Sequence, residues 1–155
     1  MTLYLVRHSP AGSRSAWDGD DTVRPLTREG RYQAAELVEW LAPCGIEEVR
    51  SSPYRRCVET VAPLAAALGL TVEVDDTLAE GEADRAVRLV RELWGHTAAL
   101  STHGDIVPAV LDALAREDGV DLGPDPKWKK GSVWILEPAA ERGRFARAQY
   151  VAPPA

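Results

Sequence analysis

The stretch "LYLVRHSPAG", residues 3 to 12, carries a run of apolar residues that stops abruptly on Arg7 and His8. Four apolar residues in succession suit a strand covered on both faces, the kind found inside a parallel sheet. Such a strand has no use for an adjoining guanidinium and imidazole. The pair therefore points to something held at the end of the strand. In open parallel sheets, ligands bind outside the carboxyl ends of the strands.

The rest of the chain supplies the pattern of such a sheet. Further β-rich runs fall at Ile46–Val49, Leu70–Val74, Ala98–Ser101, Val133–Leu136 and Ala148–Val151. Helical stretches lie between most of them. Thr27 is placed to cap a helix running to about Ala42, with Ala35, Val38 and Leu41 or Ala42 at helical spacing. Ser52-Pro53 reads as an N-cap and first-turn proline for a helix that Gly69 ends. Ala83 to Trp94 forms a third helix closed by Gly95, and Asp105 to about Arg116 a fourth. The expectation is a single α/β domain over residues 1–155. It is a three-layer sandwich with a mostly parallel central sheet, helices on both faces and an antiparallel C-terminal strand. Two connections, Ser9 to Leu26 and Glu117 to Gly131, are long and patternless, as functional loops often are.

Composition narrows the function classes. With 155 residues, 45% of them hydrophobic and 27% charged, the chain can build a core and does not resemble a disordered one. A net charge of −6 argues against a nucleic-acid polymer as partner. No apolar stretch approaches the ~18 residues of a membrane span, and no signal peptide is evident. Cys44 and Cys57 form no C-x-x-C pair and suit a reducing cytoplasm. No two histidines have metal-ligand spacing, which leaves a metal hydrolase poorly supported.

Four strand ends carry reactive residues: Arg7 and His8 after the first, "SSPYRRC" after the second, "LAEGEAD" after the third and "STHGD" after the fourth. Each alone has a plain structural explanation. Arg55 and Arg56 could be a solvated helix face, the acids ordinary helix-start charge, and His103 a packed side chain. All four on one edge of one sheet suit phosphoryl chemistry. Arginine forks match phosphoryl oxygens, an imidazole can attack phosphorus, and a carboxylic acid can protonate a leaving group.

"LYLVRHSPAG", "RPLTREGRYQAAEL", "VRSSPYRRCVETVAPLA" and "LSTHGDIVPAVL", in that order, resemble the histidine phosphatase superfamily (phosphoglycerate mutase-like). The short length is similar to the SixA-like phosphohistidine phosphatase branch, and also to phosphatase domains that follow a Nudix domain in some fusion proteins. The resemblance implies that His8 is the nucleophile and Arg7 a phosphate ligand. It selects Arg56 rather than Arg55 as the pocket arginine, and His103 as the second pocket histidine. Glu80 matches the usual acid position, with Glu82 close by as an alternative. Arg14 lies where the family often puts an additional phosphate-binding group. The third residue of the family's Arg-His-Gly is Ser9 here, where a side chain would narrow the pocket or alter the turn.

The implied reaction is a phosphatase cycle through phosphohistidine that needs no metal or cofactor. Its partner would be a phosphohistidine protein or a phosphorylated small molecule, not a membrane. A nucleotide phosphatase would use the same core, with Trp128 stacking on a base and Lys129 or Lys130 touching further phosphates; a solvent-exposed loop is the preferred reading of that segment. A non-catalytic phosphate-binding module is the rival of a different class. A mutase is disfavoured because the chain is short.

Overall fold

The computed structural model describes all 155 residues. Six strands form one sheet: β1 (Leu3–Arg7), β2 (Glu48–Ser51), β3 (Val72–Val74), β4 (Ala98–Thr102), β5 (Val133–Pro138) and β6 (Phe145–Val151). Their spatial order is β3-β2-β4-β1-β5-β6. The first four in that order are mutually parallel, β5 runs against β1, and β6 returns along β5. The C-terminal hairpin is thus antiparallel, as expected. Its last strand begins at Phe145, three residues before the sequence pattern, because cross-strand pairing with β5 recruits polar residues.

Four helices cover the sheet: α1 (Arg28–Leu41), α2 (Arg55–Leu68), α3 (Ala83–Glu92) and α4 (Ile106–Asp118). Successive side chains of a strand point to opposite faces. Leu3 and Leu5 of β1 accordingly join a core with α3 and α4, while Tyr4 and Val6 join one with α1 and α2. This is the three-layer arrangement. Fully burying a leucine such as Leu5 or Leu100 contributes about 2 kcal/mol. No helix is long and apolar enough to cross a membrane.

Thr27 caps α1 by accepting the Gly30 amide at 3.1 Å. Gly30 lies so close to the Pro10 carbonyl that an added Cβ would meet its oxygen at 2.1 Å. The Thr27 amide also donates to that carbonyl, at 3.0 Å, fastening the segment after His8 to the start of α1. The buried face of α1 is Ala34, Leu37 and Leu41, with Ala35 exposed, so the expected apolar stripe is displaced by one residue. The expected cap of α2 is also corrected. That helix starts at Arg55 and has Tyr54 at its N-cap, with no side chain closing it. Ser52 is instead turned into the protein interior. The first long connection holds two 3-10 turns, at Arg14–Ala16 and Asp21–Val23.

Candidate active site

The parallel strands deliver their carboxyl ends to one open cleft of about 1210 Å³. β1 and β4 are in register from Leu3↔Ala98 to Arg7↔Thr102, and the His8 amide extends the ladder by donating to the Thr102 carbonyl at 3.0 Å. This brings the His8 and His103 rings within 5.6 Å at 69°. The Ser52 amide likewise continues β2 by donating to the Ser101 carbonyl at 2.9 Å. α2 then starts at the cleft and places Arg56 there. Arg7, His8, Arg14, Arg56 and Glu80 all line the cleft. His103 lies directly beside them, 1% exposed.

His8 Nδ1 stands 2.8 Å from the Ser9 carbonyl oxygen. A carbonyl only accepts, so we assign the proton to Nδ1, which leaves the Nε2 lone pair free. Burial, helped by the charges of His103, Arg56 and Arg7, lowers the imidazole pKa to about 3, so it is neutral at physiological pH. Burial and the nearby Arg56 likewise lower that of His103 to about 4. His103 Nε2 is 2.8 Å from the Ser52 hydroxyl, and its Nδ1 is 3.5 Å from Glu80 Oε1. The carboxylate favours the proton on Nδ1, with Ser52 donating to Nε2.

Arg56 is fully buried. Its Nη1 donates to the Asp21 carbonyl, and its Nη2 to Asp21 Oδ2 at 3.1 Å and Glu80 Oε1 at 2.8 Å. Arg55 faces away and pairs with Glu59. Glu80 Oε1 also accepts from Arg14 at 2.7 Å, while Glu82 precedes α3 and pairs with Arg85. The geometry thus separates Glu80 from Glu82. Arg7 packs its guanidinium against Gly104: a Cβ there would lie 2.6 Å from the guanidinium carbon and displace the Arg7 head. Ser9 does not narrow the cleft. It is buried, its amide donates to Thr60 Oγ1, and the chain has no non-glycine residue at positive φ.

The sequence reading misses three participants and gives a fourth, Lys130, second place to a solvent-exposed loop. Asp21 joins Arg14, Arg24 and Arg56. Despite burial, the Arg24 hydrogen bond and neighbouring arginine charges hold its carboxyl below the usual range. Arg24, itself buried, braces the Ala11 and Gly12 carbonyls. Ser52 orients His103. Lys129 and Lys130 are exposed, as a solvent-facing loop implies, but Lys130 also lines the cleft, and nearby Trp128 packs partly on the core. Asp21 and Arg24 sit in "DGDDTVR", where only the three-residue spacing of opposite charges hinted at a pair. Cys57 lies behind His103, its Sγ 3.5 Å from Nε2, and burial pushes its thiol up to about 12. No group of three or more His, Cys, Asp or Glu side chains is placed to hold a metal ion.

Known proteins share this fold. The 8-oxo-(d)GTP phosphatase of Mycolicibacterium smegmatis is 31% identical over 160 residues, covering 99% of this chain. The chain spans about half of that relative's length, 48%. The protein histidine phosphatase SixA, solved with tungstate, superposes with a TM-score of 0.73 at 22% identity, over 99% of this chain and 96% of that one. A mycobacterial glucosyl-3-phosphoglycerate phosphatase, solved with VO3, gives 0.74 at 20% identity, over 97% of each chain. At those identities the likeness to the solved structures is one of fold. The model of the histidine phosphatase superfamily (branch 1) matches residues 3–86, a span holding Arg7, His8, Arg56 and Glu80. The chain belongs to the histidine phosphatase superfamily.

Proposed function

We propose that residues 1–155 act as one phosphatase domain that passes a phosphoryl group first to His8 and then to water, without metal or cofactor. The observation that carries this reading is the bond from His8 Nδ1–H to the Ser9 carbonyl, which presents a neutral ring with a bare Nε2. Nε2 attacks phosphorus as the bond from phosphorus to the leaving oxygen or nitrogen breaks. Arg7, Arg56 and His103 hold the equatorial oxygens, with Arg14 at the rim. Each charge-assisted bond contributes about 1.5–3 kcal/mol. Phosphate oxygens replace Glu80 on Arg56; the displaced carboxylate takes a proton from the substrate's own phosphoryl hydroxyl and passes it to the leaving atom. Glu80 then takes a proton from the water that cleaves the Nε2–phosphorus bond.

A SixA-like reading makes the substrate a phosphohistidine protein, supported by the open cleft and the shared fold. A nucleotide is the second reading, supported by the 31% identity to a relative named as an 8-oxo-(d)GTP phosphatase. A cytoplasmic location suits the two free cysteines.

The test is a phosphatase screen over protein phosphohistidine, nucleotides and sugar phosphates, run with and without EDTA. Rapid quenching with labelled substrate should trap acid-labile, base-stable phosphate on residue 8. Activity should survive chelation. Label on His103 would swap the two roles. Near-normal turnover by His8→Ala would reduce the cleft to a binding pocket.

A further inference from the structure

Five cationic side chains line the cleft, and they are not equivalent. Three make ion pairs within the protein: Arg14 and Arg56 with Asp21 and Glu80, and Arg24 with Asp21. Arg7 and Lys130 make no ion pair. Arg7 gives one N–H to the Trp128 carbonyl at 2.8 Å and leaves its buried Nε without a partner.

The backbone beneath Lys130 is fixed. The Gly131 amide donates to the carbonyls of both Arg7 and His8, at 3.0 and 3.1 Å, and the Ser132 amide closes the turn on Lys129. Gly131 has φ +82°, and a Cβ there would meet Gln33 Oε1 at 2.2 Å. These bonds and the positive φ of Gly131 fix the backbone of the turn, which sets Lys130 at the end of β1 next to His8 in the fold. Lys130 is exposed at the cleft, where partial desolvation and the charges of Arg7, Arg24 and Arg56 keep its ammonium below the ordinary lysine range. Arg7 and Arg56 already flank the transferring phosphoryl group, so this unpaired ammonium is left to face a second anion.

We propose that Lys130 binds a second anionic group adjacent to the phosphoryl group at His8, so that the preferred substrate is a phosphoanhydride such as a nucleoside diphosphate. The inference rests on His8 as the site of transfer. A lysine is a compact point charge and suits a phosphate whose orientation is set elsewhere. The cleft volume leaves room for more than one phosphoryl group.

The experiment compares wild type, Lys130→Met and Lys130→Arg on three substrates at low salt: ADP, p-nitrophenyl phosphate and phosphoglycolate. For Lys130→Met the KM for ADP should rise about tenfold with little change in kcat. The ratio of kcat/KM for ADP over p-nitrophenyl phosphate should fall by the same factor, and Lys130→Arg should restore most of it. Equal losses on ADP and the monoester, or no loss, overturn the proposal. A larger loss on phosphoglycolate than on ADP overturns the anhydride and assigns a carboxylate. Calorimetry separates this from the catalytic reading. If wild type hydrolyses nothing yet Lys130→Met weakens pyrophosphate binding about tenfold, the subsite stands and the phosphatase cycle falls.

Discussion

The two ends of α4 carry two clusters of charge with opposite character. Near its C-terminus, Asp118 has a side chain 1% exposed and accepts from Arg91 Nη1, Arg144 Nη1 and the Phe145 amide, each at 2.9 Å. Both arginines also bond backbone carbonyls, of Gly143 and Glu117. The cluster ties α3, α4 and the start of β6, and no polar atom in it is stranded. About 20 Å away, at the start of the same 13-residue helix, the cleft cluster leaves Arg7 Nε, Arg56 Nε and Ser9 Oγ buried without partners. The residue types are similar in both places. A closed network is glue, and an open one is a receptor: what distinguishes them is the list of unpaired atoms.

A crossed pair of variants is the strongest way to break that distinction. His8→Ala should lower turnover at least ~10³-fold, on the order of 4 kcal/mol in barrier, while the urea midpoint stays near that of wild type. Asp118→Ala should do the reverse. Removing the buried carboxylate takes a partner from Arg91, Arg144 and the Phe145 amide and costs about 2 kcal/mol of stability, with turnover per folded molecule within about twofold of wild type. Paired kinetics and urea melts decide, and a His8 variant that unfolds, or an Asp118 variant that stays stable but loses activity, would erase the contrast.

A smaller effect separates neighbours within α2. Arg56→Ala should lower kcat/KM by one to two decades, roughly 1.5–3 kcal/mol. Arg55→Ala should lose almost nothing, because Arg55 pairs with Glu59 away from the cleft. Equal losses from the two would mean that the buried guanidinium is structural.

A further test is in acid. The pKa values of His8 and His103 fall from 6.5 to about 3 and about 4 on folding. Between pH 6.5 and 4 the unfolded chain therefore binds the extra protons, so the folded state weakens as pH falls through that window and recovers as it rises. Asp118 acts lower. Its folded pKa lies below 3.8, so its contribution is full above that value and is lost only on further acidification. Urea midpoints measured from pH 7 to 3 should decline in those two stages. Replacing both histidines with glutamine should flatten the first stage and leave the second. A wild-type curve that is flat from 6.5 to 4 would refute the assigned protonation states.

How much of this was legible in sequence follows from what each residue depends on. Arg7, His8, Arg56 and His103 abut strand ends, and a period-based reading finds strand ends. Their convergence required only that the sheet be parallel. Glu80 was legible mainly through the resemblance, and its separation from Glu82 required the Arg14 and Arg56 contacts. Ser52 was misassigned because a serine before a proline has the composition of a helix cap. Only the ladder between β2 and β4 shows that it turns toward His103. Asp21 and Arg24 lie in a loop whose shape is set by side chains meeting across the cleft, and no local pattern encodes that. Lys130 was weighed and set aside because a lysine beside a tryptophan in a loop is usually solvent-facing. Its side chain is exposed; what sequence hides is that the Gly131 turn, formed once β1 and β5 pair, brings it to the edge of the cleft.

The position of β1 has a consequence for the order of synthesis. Of the six strands it is made before the other five, yet it lies between β4 and β5, with Leu3 opposite both Ala98 and Leu136. A ribosome releases it long before either neighbour exists, and pairing across such sequence distances is slow. The burial that keeps the His8 ring uncharged depends on those same neighbours. A nascent chain that ends short of Val133 therefore carries every motif of the cleft except the lysine turn, but has an ordinary imidazole and an unprotected strand edge. Its chemistry switches on with the last strands rather than growing in proportion to length.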